Sequence, residues 1–251
     1  MEKFFVPKKR SHKGDNGRLL IIGGSRQYHG APVLAILAAR RFVDLVYFYP
    51  GQNDPHLIGA AKRVPEAIVV RDRKRMEELV GKCDCVLFGT GLGKARFGMR
   101  ALAKAKMLVI DADGLKRVKG RIPSGSVITP HEGEFRMLFA KSGTRANVKA
   151  MAAKHGCIIL KKGPEDIISD GKRVVINLLH NQGMTRGGTG DVLSGLVAAL
   201  ACKNAPFAAA VAGARINGHA GNWLKKSLGY NFSASDLADG LAKSSRALYG
   251  K

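Results

Sequence analysis

The stretch Arg18–Gly24, RLLIIGG, places four branched apolar side chains in a row ahead of two glycines. A strand exposed on one face alternates apolar and polar residues, so an unbroken apolar run marks a strand buried on both faces. Leu45–Tyr49, Ala67–Arg71, Cys85–Gly89, Met107–Asp111, Ser126–Thr129 and Cys157–Lys161 read as strands of the same short, Val/Ile/Leu-rich kind. Helix-like segments separate them: Pro32–Phe42, Lys74–Val80, Ala95–Ala105, Glu132–Phe139 and Arg145–His155. Pro32 suits a first helical turn, where its missing N–H goes unused. Such alternation predicts a mostly parallel sheet with helices on both faces.

The last third changes character. Ile167–Ile168 and Val174–Ile176 flank Asp170–Gly171, a turn that predicts a hairpin. Three helices follow, over Asp191–Cys202, Phe207–Lys225 and Asp236–Tyr249, the last with a capping box at Ser233 and Asp236. With no linker, repeat or low-complexity stretch, residues 1–251 are expected to form a single domain.

Composition narrows the function. Apolar residues make up 45% of 251, enough to bury a full core without a disulfide or metal staple. The longest apolar run, Val192–Cys202, is broken by Ser194 and Gly195 and is too short to span a bilayer. The opening MEKFFVPKKRSHKG has no apolar core of a signal peptide. Cys83, Cys85, Cys157 and Cys202 form no C-x-x-C pair, and no histidine stands at metal-ligand spacing, so reduced core thiols in a cytoplasmic protein are expected. Lys and Arg number 42 against 19 Asp and Glu, a formal charge of +23. They are spread along the whole chain without aromatic interleaving, which argues against a nucleic-acid groove. A basic host proteome or attraction of a phosphorylated small ligand accounts for the charge equally well.

The strongest local signal is Gly187-Gly188-Thr189-Gly190-Asp191, directly before an apolar helix. Consecutive glycines bring backbone amides close to a ligand, and the helix adds its unpaired N–H groups and positive dipole end. An anion cradle beside a carboxylate suits transfer of a phosphoryl group to a hydroxyl, with Asp191 accepting the hydroxyl proton. The alternative is an acidic first-turn residue after a packing turn. Other turns fall at strand ends: Gly23-Gly24-Ser25, Gly89-Thr90-Gly91-Leu92-Gly93, Asp111-Ala112-Asp113 and Thr129-Pro130-His131. None is a dinucleotide fingerprint or a Walker loop. Ligands in open α/β sheets bind at such ends, so these turns are expected to line one crevice.

Taken together, Ser11–Asp15, Tyr28–Pro32, FGTGLG, VIDADGL, TPHEGEF and GMTRGGTGDVLSG resemble the ADP/ATP-dependent NAD(P)H-hydrate dehydratases, from Ser11 to about Tyr249. That resemblance implies a ribokinase-like three-layer α/β/α sandwich. It also implies repair of the S-epimer of NADH or NADPH hydrated at C6, with ADP or ATP consumed to AMP or ADP and phosphate. Asp191 would be the catalytic base. Ala31, Gly91, His131 and Asp191 match positions that bind the hydrated dinucleotide. Lys162, Gly163, Pro164, Glu165 and Asp166, with Gly188, Thr189 and Gly190, match the nucleotide site, and either Lys161 or Lys162 suits its lysine. Mg²⁺ is expected with the nucleotide phosphates. The resemblance further implies a separate epimerase, a possible homo-tetramer, and no specific nucleic acid or membrane partner.

Two departures stand out: Asn181-Gln182-Gly183 lacks a proline frequent in relatives, and Thr90 occupies another frequent proline position. Two rival functions use the same fold, a small-molecule kinase of a vitamin-precursor alcohol and a non-catalytic basic nucleic-acid-binding protein. The resemblance favours ADP over ATP and does not choose between hydrated NADH and hydrated NADPH.

Overall fold

The computed structural model describes residues 4–250. Its strands are β1 (Arg18–Gly23), β2 (Leu45–Pro50), β3 (Ala67–Val69), β4 (Cys85–Phe88), β5 (Leu108–Ile110), β6 (Val127–Ile128), β7 (Ile158–Lys161), β8 (Asp166–Ser169) and β9 (Val174–Asn177). All join one sheet in the order β3-β2-β1-β4-β5-β6-β7-β8-β9. Strands β1 to β7 pair in parallel, and β8 and β9 add an antiparallel hairpin at the edge.

The double-sided apolar pattern is used as expected. Leu19 and Ile21 of β1 face one core with Cys85 and Leu87 of β4 and Val109 of β5. Their neighbours Leu20, Ile22, Val86, Phe88 and Ile110 face the other. Helices α1 (Gly30–Ala39), α7 (Thr189–Ala201), α8 (Pro206–Leu228) and α9 (Ala234–Tyr249) pack on the first side. Helices α3 (Arg73–Lys82), α4 (Asp113–Arg117), α5 (Glu132–Phe139) and α6 (Arg145–His155) cover the second. The result is the three-layer α/β/α sandwich. Helix α7 crosses α1 with backbones touching: a Cβ on Gly195 would lie 2.6 Å from Ala35 Cα. Ser233 and Asp236 do form a capping box on α9, and the four cysteines are buried and unpaired.

Several boundaries move. The helix predicted over Ala95–Ala105 shrinks to a 3-10 turn at Met99–Leu102. Gly98 is extended there, and Phe97 turns in against Phe88 and Tyr49 instead of following a helical path. A helix absent from the prediction, α2 (Pro55–Lys62), is capped by Asp54, whose carboxylate accepts from the amides of His56 and Leu57. That Asp-Pro start was legible. The five-residue α4 was also missed, being too short for a periodic signal. Helix α7 begins at Thr189 instead of Asp191, with Gly188 at its cap in a positive-φ conformation (φ +94°).

Candidate active site

Strands β1, β4, β5, β6 and β7 are neighbours, so the turns at their carboxyl ends line up along one rim of the sheet. Hydrogen bonds knit these turns together. The Gly24 amide donates to Thr90 O at 2.8 Å, and Ser25 Oγ donates to Gly91 O at 2.9 Å. Gly91 abuts the start of α1, where a Cβ on it would lie 2.8 Å from that of Ala31. Two of the expected substrate positions are therefore in contact. Farther along, Gly93 N donates to Asp113 Oδ2 at 2.7 Å.

Between Asp111 and Asp113, Ala112 is held at φ +50°. A non-glycine residue in such a region costs on the order of 1–3 kcal/mol and persists where its surroundings over-determine it. Here the strain lets two successive carboxylates leave the strand in different directions. Asp113 goes to the Gly93 turn. Asp111, 1% exposed, accepts from Thr129 Oγ1 at 2.8 Å and from Lys162 Nζ at 2.7 Å.

Lys162 is the first residue beyond β7, and its amide donates to Pro130 O at 2.8 Å. Burial by itself would lower its ammonium pKa. Asp111, with Glu134 and Asp191 nearby, outweighs that and holds the lysine charged. Its Nζ also approaches the anion cradle, 3.5 Å from where a Cβ on Gly190 would stand. Lys161 pairs with Glu132 at 3.4 Å, and its Nζ lies 3.1 Å from where a Cβ on Gly163 would stand. The two candidate lysines thus face different parts of the expected nucleotide site, Lys162 toward Gly190 and Lys161 toward Gly163.

His131 caps α5. Its Nδ1 accepts from the amides of Gly133 and Glu134 at 3.0 and 3.2 Å, while Glu134 reaches back to the His131 amide at 2.8 Å. Capping fixes Nδ1 as an acceptor, so in the neutral ring Nε2 bears the hydrogen. The side chain is 61% exposed, with Nε2 3.6 Å from Glu134 Oε2.

Asp191 stands in the first turn of α7, half-buried, and its carboxylate accepts no hydrogen bond from any described residue. Burial first, then Asp111 and Glu134, push its pKa up to about 7, with Lys162 opposing. A carboxylate this basic is matched to accepting a proton near neutrality. If Asp191 is the base expected from the sequence, kcat/KM climbs with pH through about 7 as it loses its proton. Asp111→Asn removes a repulsive charge and frees Lys162, both of which favour the ionised form. The acid limb of the profile should therefore move to lower pH, and a limb left in place would contradict the assignment.

The nucleotide stretch divides. Lys162, Gly163 and Asp166 turn inward, with Asp166 accepting from the Gly163 amide at 3.2 Å and from Asn177 Nδ2 at 3.0 Å. Pro164 and Glu165 are exposed, and Glu165 pairs with Arg145 at 3.1 Å. Gly188 caps α7, and Thr189 and Gly190 form its first turn; Thr189 Oγ1 donates to Met184 O at 2.7 Å and its amide to Arg186 O at 3.4 Å. From sequence, Asp111 and Thr129 figure only as members of turns lining the crevice, and Glu134 only as part of TPHEGEF. Asp111 and Thr129 follow directly on β5 and β6, and Glu134 is the third residue after the His131 cap.

The three-layer α/β fold, with the glycine turn, Asp191 and the part-buried Lys162 gathered at its strand ends, is ribokinase-like. Comparison with known proteins narrows the class: the NAD(P)H-hydrate dehydratase family model matches residues 19–243, and the chain belongs to that family. It is 38% identical over 261 residues to the ADP-dependent (S)-NAD(P)H-hydrate dehydratase of Cenarchaeum symbiosum, covering 94% of this chain and 91% of that protein. It is 40% identical over 263 residues to the bifunctional NAD(P)H-hydrate repair enzyme Nnr of Hyperthermus butylicus. There the match covers 92% of this chain and 48% of the relative, so the chain spans about half the length of the bifunctional relatives. In fold it is similar to the Bacillus subtilis ADP/ATP-dependent NAD(P)H-hydrate dehydratase co-crystallised with ATP/Mg²⁺, with TM-score 0.84 and 24% identity, covering 96% and 93% of the two chains.

Proposed function

We propose that this chain, read as one domain, dehydrates the S-epimer of hydrated NADH or NADPH at the expense of ADP, or of ATP. The observation that supports this most directly is Asp191, unpartnered beside the Gly188–Gly190 amides and with a pKa raised to about 7. Hydroxide is a poor leaving group, and phosphorylation turns the ring hydroxyl into a good one. In the first step the C6 oxygen attacks the terminal phosphorus of ADP, the bond to AMP breaks, and Asp191 takes the hydroxyl proton. The cradle amides and Lys162 face the migrating negative charge. In the second step the ring nitrogen lone pair expels phosphate, and loss of a C5 proton restores the ring double bond. NAD(P)H, AMP and phosphate result.

Ala31, Gly91 and His131 would position the hydrated ring, and the Lys162–Asp166 turn would hold the nucleotide. Mg²⁺, when bound, neutralises charge on the phosphates. Among the described residues no group of three or more His, Cys, Asp or Glu is placed to hold a metal. Such an ion would be carried on phosphate oxygens and water; Asp111 is engaged by Lys162 and Thr129, and Glu134 by the His131 amide.

The decisive assay offers the protein hydrated NADH with ADP, then with ATP, and follows recovery of reduced-nicotinamide absorbance. Stable phosphorylation of an alcohol without that recovery would assign the site to a small-molecule kinase instead. His131→Ala should raise KM for the hydrate more than it lowers kcat, as loss of a binding contact does. It also removes a helix cap, at about 0.5–2 kcal/mol of stability. An unchanged KM would take His131 out of the substrate site.

Among the described residues no helix is long and apolar enough to cross a membrane. We place the protein in the cytoplasm, a reading supported by its four unpaired thiols. In this reading the R-epimer is converted by a separate epimerase or spontaneously. A tetramer is part of the same reading, and light scattering of the purified protein tests it. Polynucleotide binding is expected to be weak and to vanish as salt rises.

A further inference from the structure

At the opposite end of the sheet from the crevice lies a cavity of about 740 Å³ between the Met99–Leu102 turn, the end of α4 and the segments that lead into β5 and β6. Its floor is apolar, formed by Leu102, Leu108, Val118 and Ile122. Four cations line it, Arg100, Lys106, Arg117 and Arg121, and no acidic residue does. Arg117 Nη2 donates to Ala95 O at 2.8 Å and Lys106 Nζ to Lys82 O at 3.4 Å, both neutral carbonyls. Arg100 and Arg121 have no carboxylate partner among the described residues.

Unpaired guanidinium groups around one concavity repel one another, and the arrangement is relieved by an anion. Planar, forked donors favour phosphate or carboxylate. An inorganic ion would leave the apolar floor uncovered, whereas a ligand with an apolar body and an anionic head satisfies both parts. Ligand cavities of this size have that mixed lining.

We infer that this cavity is a second binding site, remote from the crevice, for an organic phosphate that pairs an aromatic or aliphatic body with its anionic head. Its phosphate would lie between Arg100 and Arg121, with Arg117 and Lys106 adding charge, and its body would cover Leu102 and Val118. The inference is independent of the reaction proposed for the crevice.

The test is calorimetric titration of the full chain with 1-naphthyl phosphate in the presence of saturating ADP, with inorganic phosphate titrated in parallel. One equivalent of naphthyl phosphate should bind alongside ADP. Inorganic phosphate should bind at least about tenfold more weakly, given the transfer energy of even part of an apolar body. The variant Arg100→Ala/Arg121→Ala should weaken naphthyl phosphate at least about tenfold, on the scale of one charge-assisted hydrogen bond, while keeping its thermal midpoint. Both side chains are exposed, so the fold does not rely on them. Full displacement of the probe by ADP, equal affinity for inorganic phosphate, or unchanged binding by the double variant would each overturn the assignment.

Discussion

Asp191→Asn is expected to cut turnover by about 100-fold to 10,000-fold, the range for loss of a general base, while nucleotide affinity stays within a few-fold. Asparagine keeps the shape and loses the ability to take the C6 hydroxyl proton. The same substitution should stabilise the fold. Asp191 titrates near 3.8 in an unfolded chain and at about 7 in the folded one, so its ionised form opposes folding. The favourable contribution is full below the lower value and disappears as pH rises through the upper one. A shift of about three units corresponds to an upper limit of about 4 kcal/mol at pH above 7. Thermal midpoints of wild type and variant should therefore diverge as pH is raised from 4 to 8, roughly, with the variant on top. Activity near wild type would remove Asp191 from the chemistry, and coincident midpoints would show that its burial carries no cost.

The second large effect is expected at Lys162. Its side chain is 18% exposed, and that of its partner Asp111 is 2% exposed. Removing one member of such a pair strands the other charge, which costs about 3–5 kcal/mol. Lys162→Ala should lose that much by urea denaturation, and with it most of the turnover, because the same ammonium faces the glycine cradle. Adding Asp111→Asn should restore a large part of the stability and none of the activity, since a neutral amide tolerates the site without a cation. If the two changes destabilise additively, the pair is not coupled as drawn.

How much of this could be read from residues alone varies with the physics of each element. Strands with unbroken apolar runs, such as Leu19–Ile22, were unambiguous because both of their faces are covered by helices. The hairpin around Asp170–Gly171 was equally plain, its turn chemistry being local. Ala95–Ala105 was misread because Phe97 answers to Phe88 and Tyr49 across the core, a contact invisible to periodicity. In the site, Asp191 and the glycines announced themselves through sequence adjacency. The Asp111–Lys162 pair did not, as its members are 51 residues apart and meet only when β5, β6 and β7 line up. The strain at Ala112 gave no signal either, since alanine is an unexceptional residue until its φ is known.

The sheet's first face is finished last. Leu87 of β4 and Val109 of β5 lie under α7, and β6 to β9 lie under α8; these helices begin at Thr189 and Pro206. A nascent chain emerging from the ribosome will present most of the sheet well before those helices exist, with one oily side bare. Stopping synthesis at Gly188 should leave a sticky intermediate that recruits chaperones or precipitates, whereas release past α9 should not.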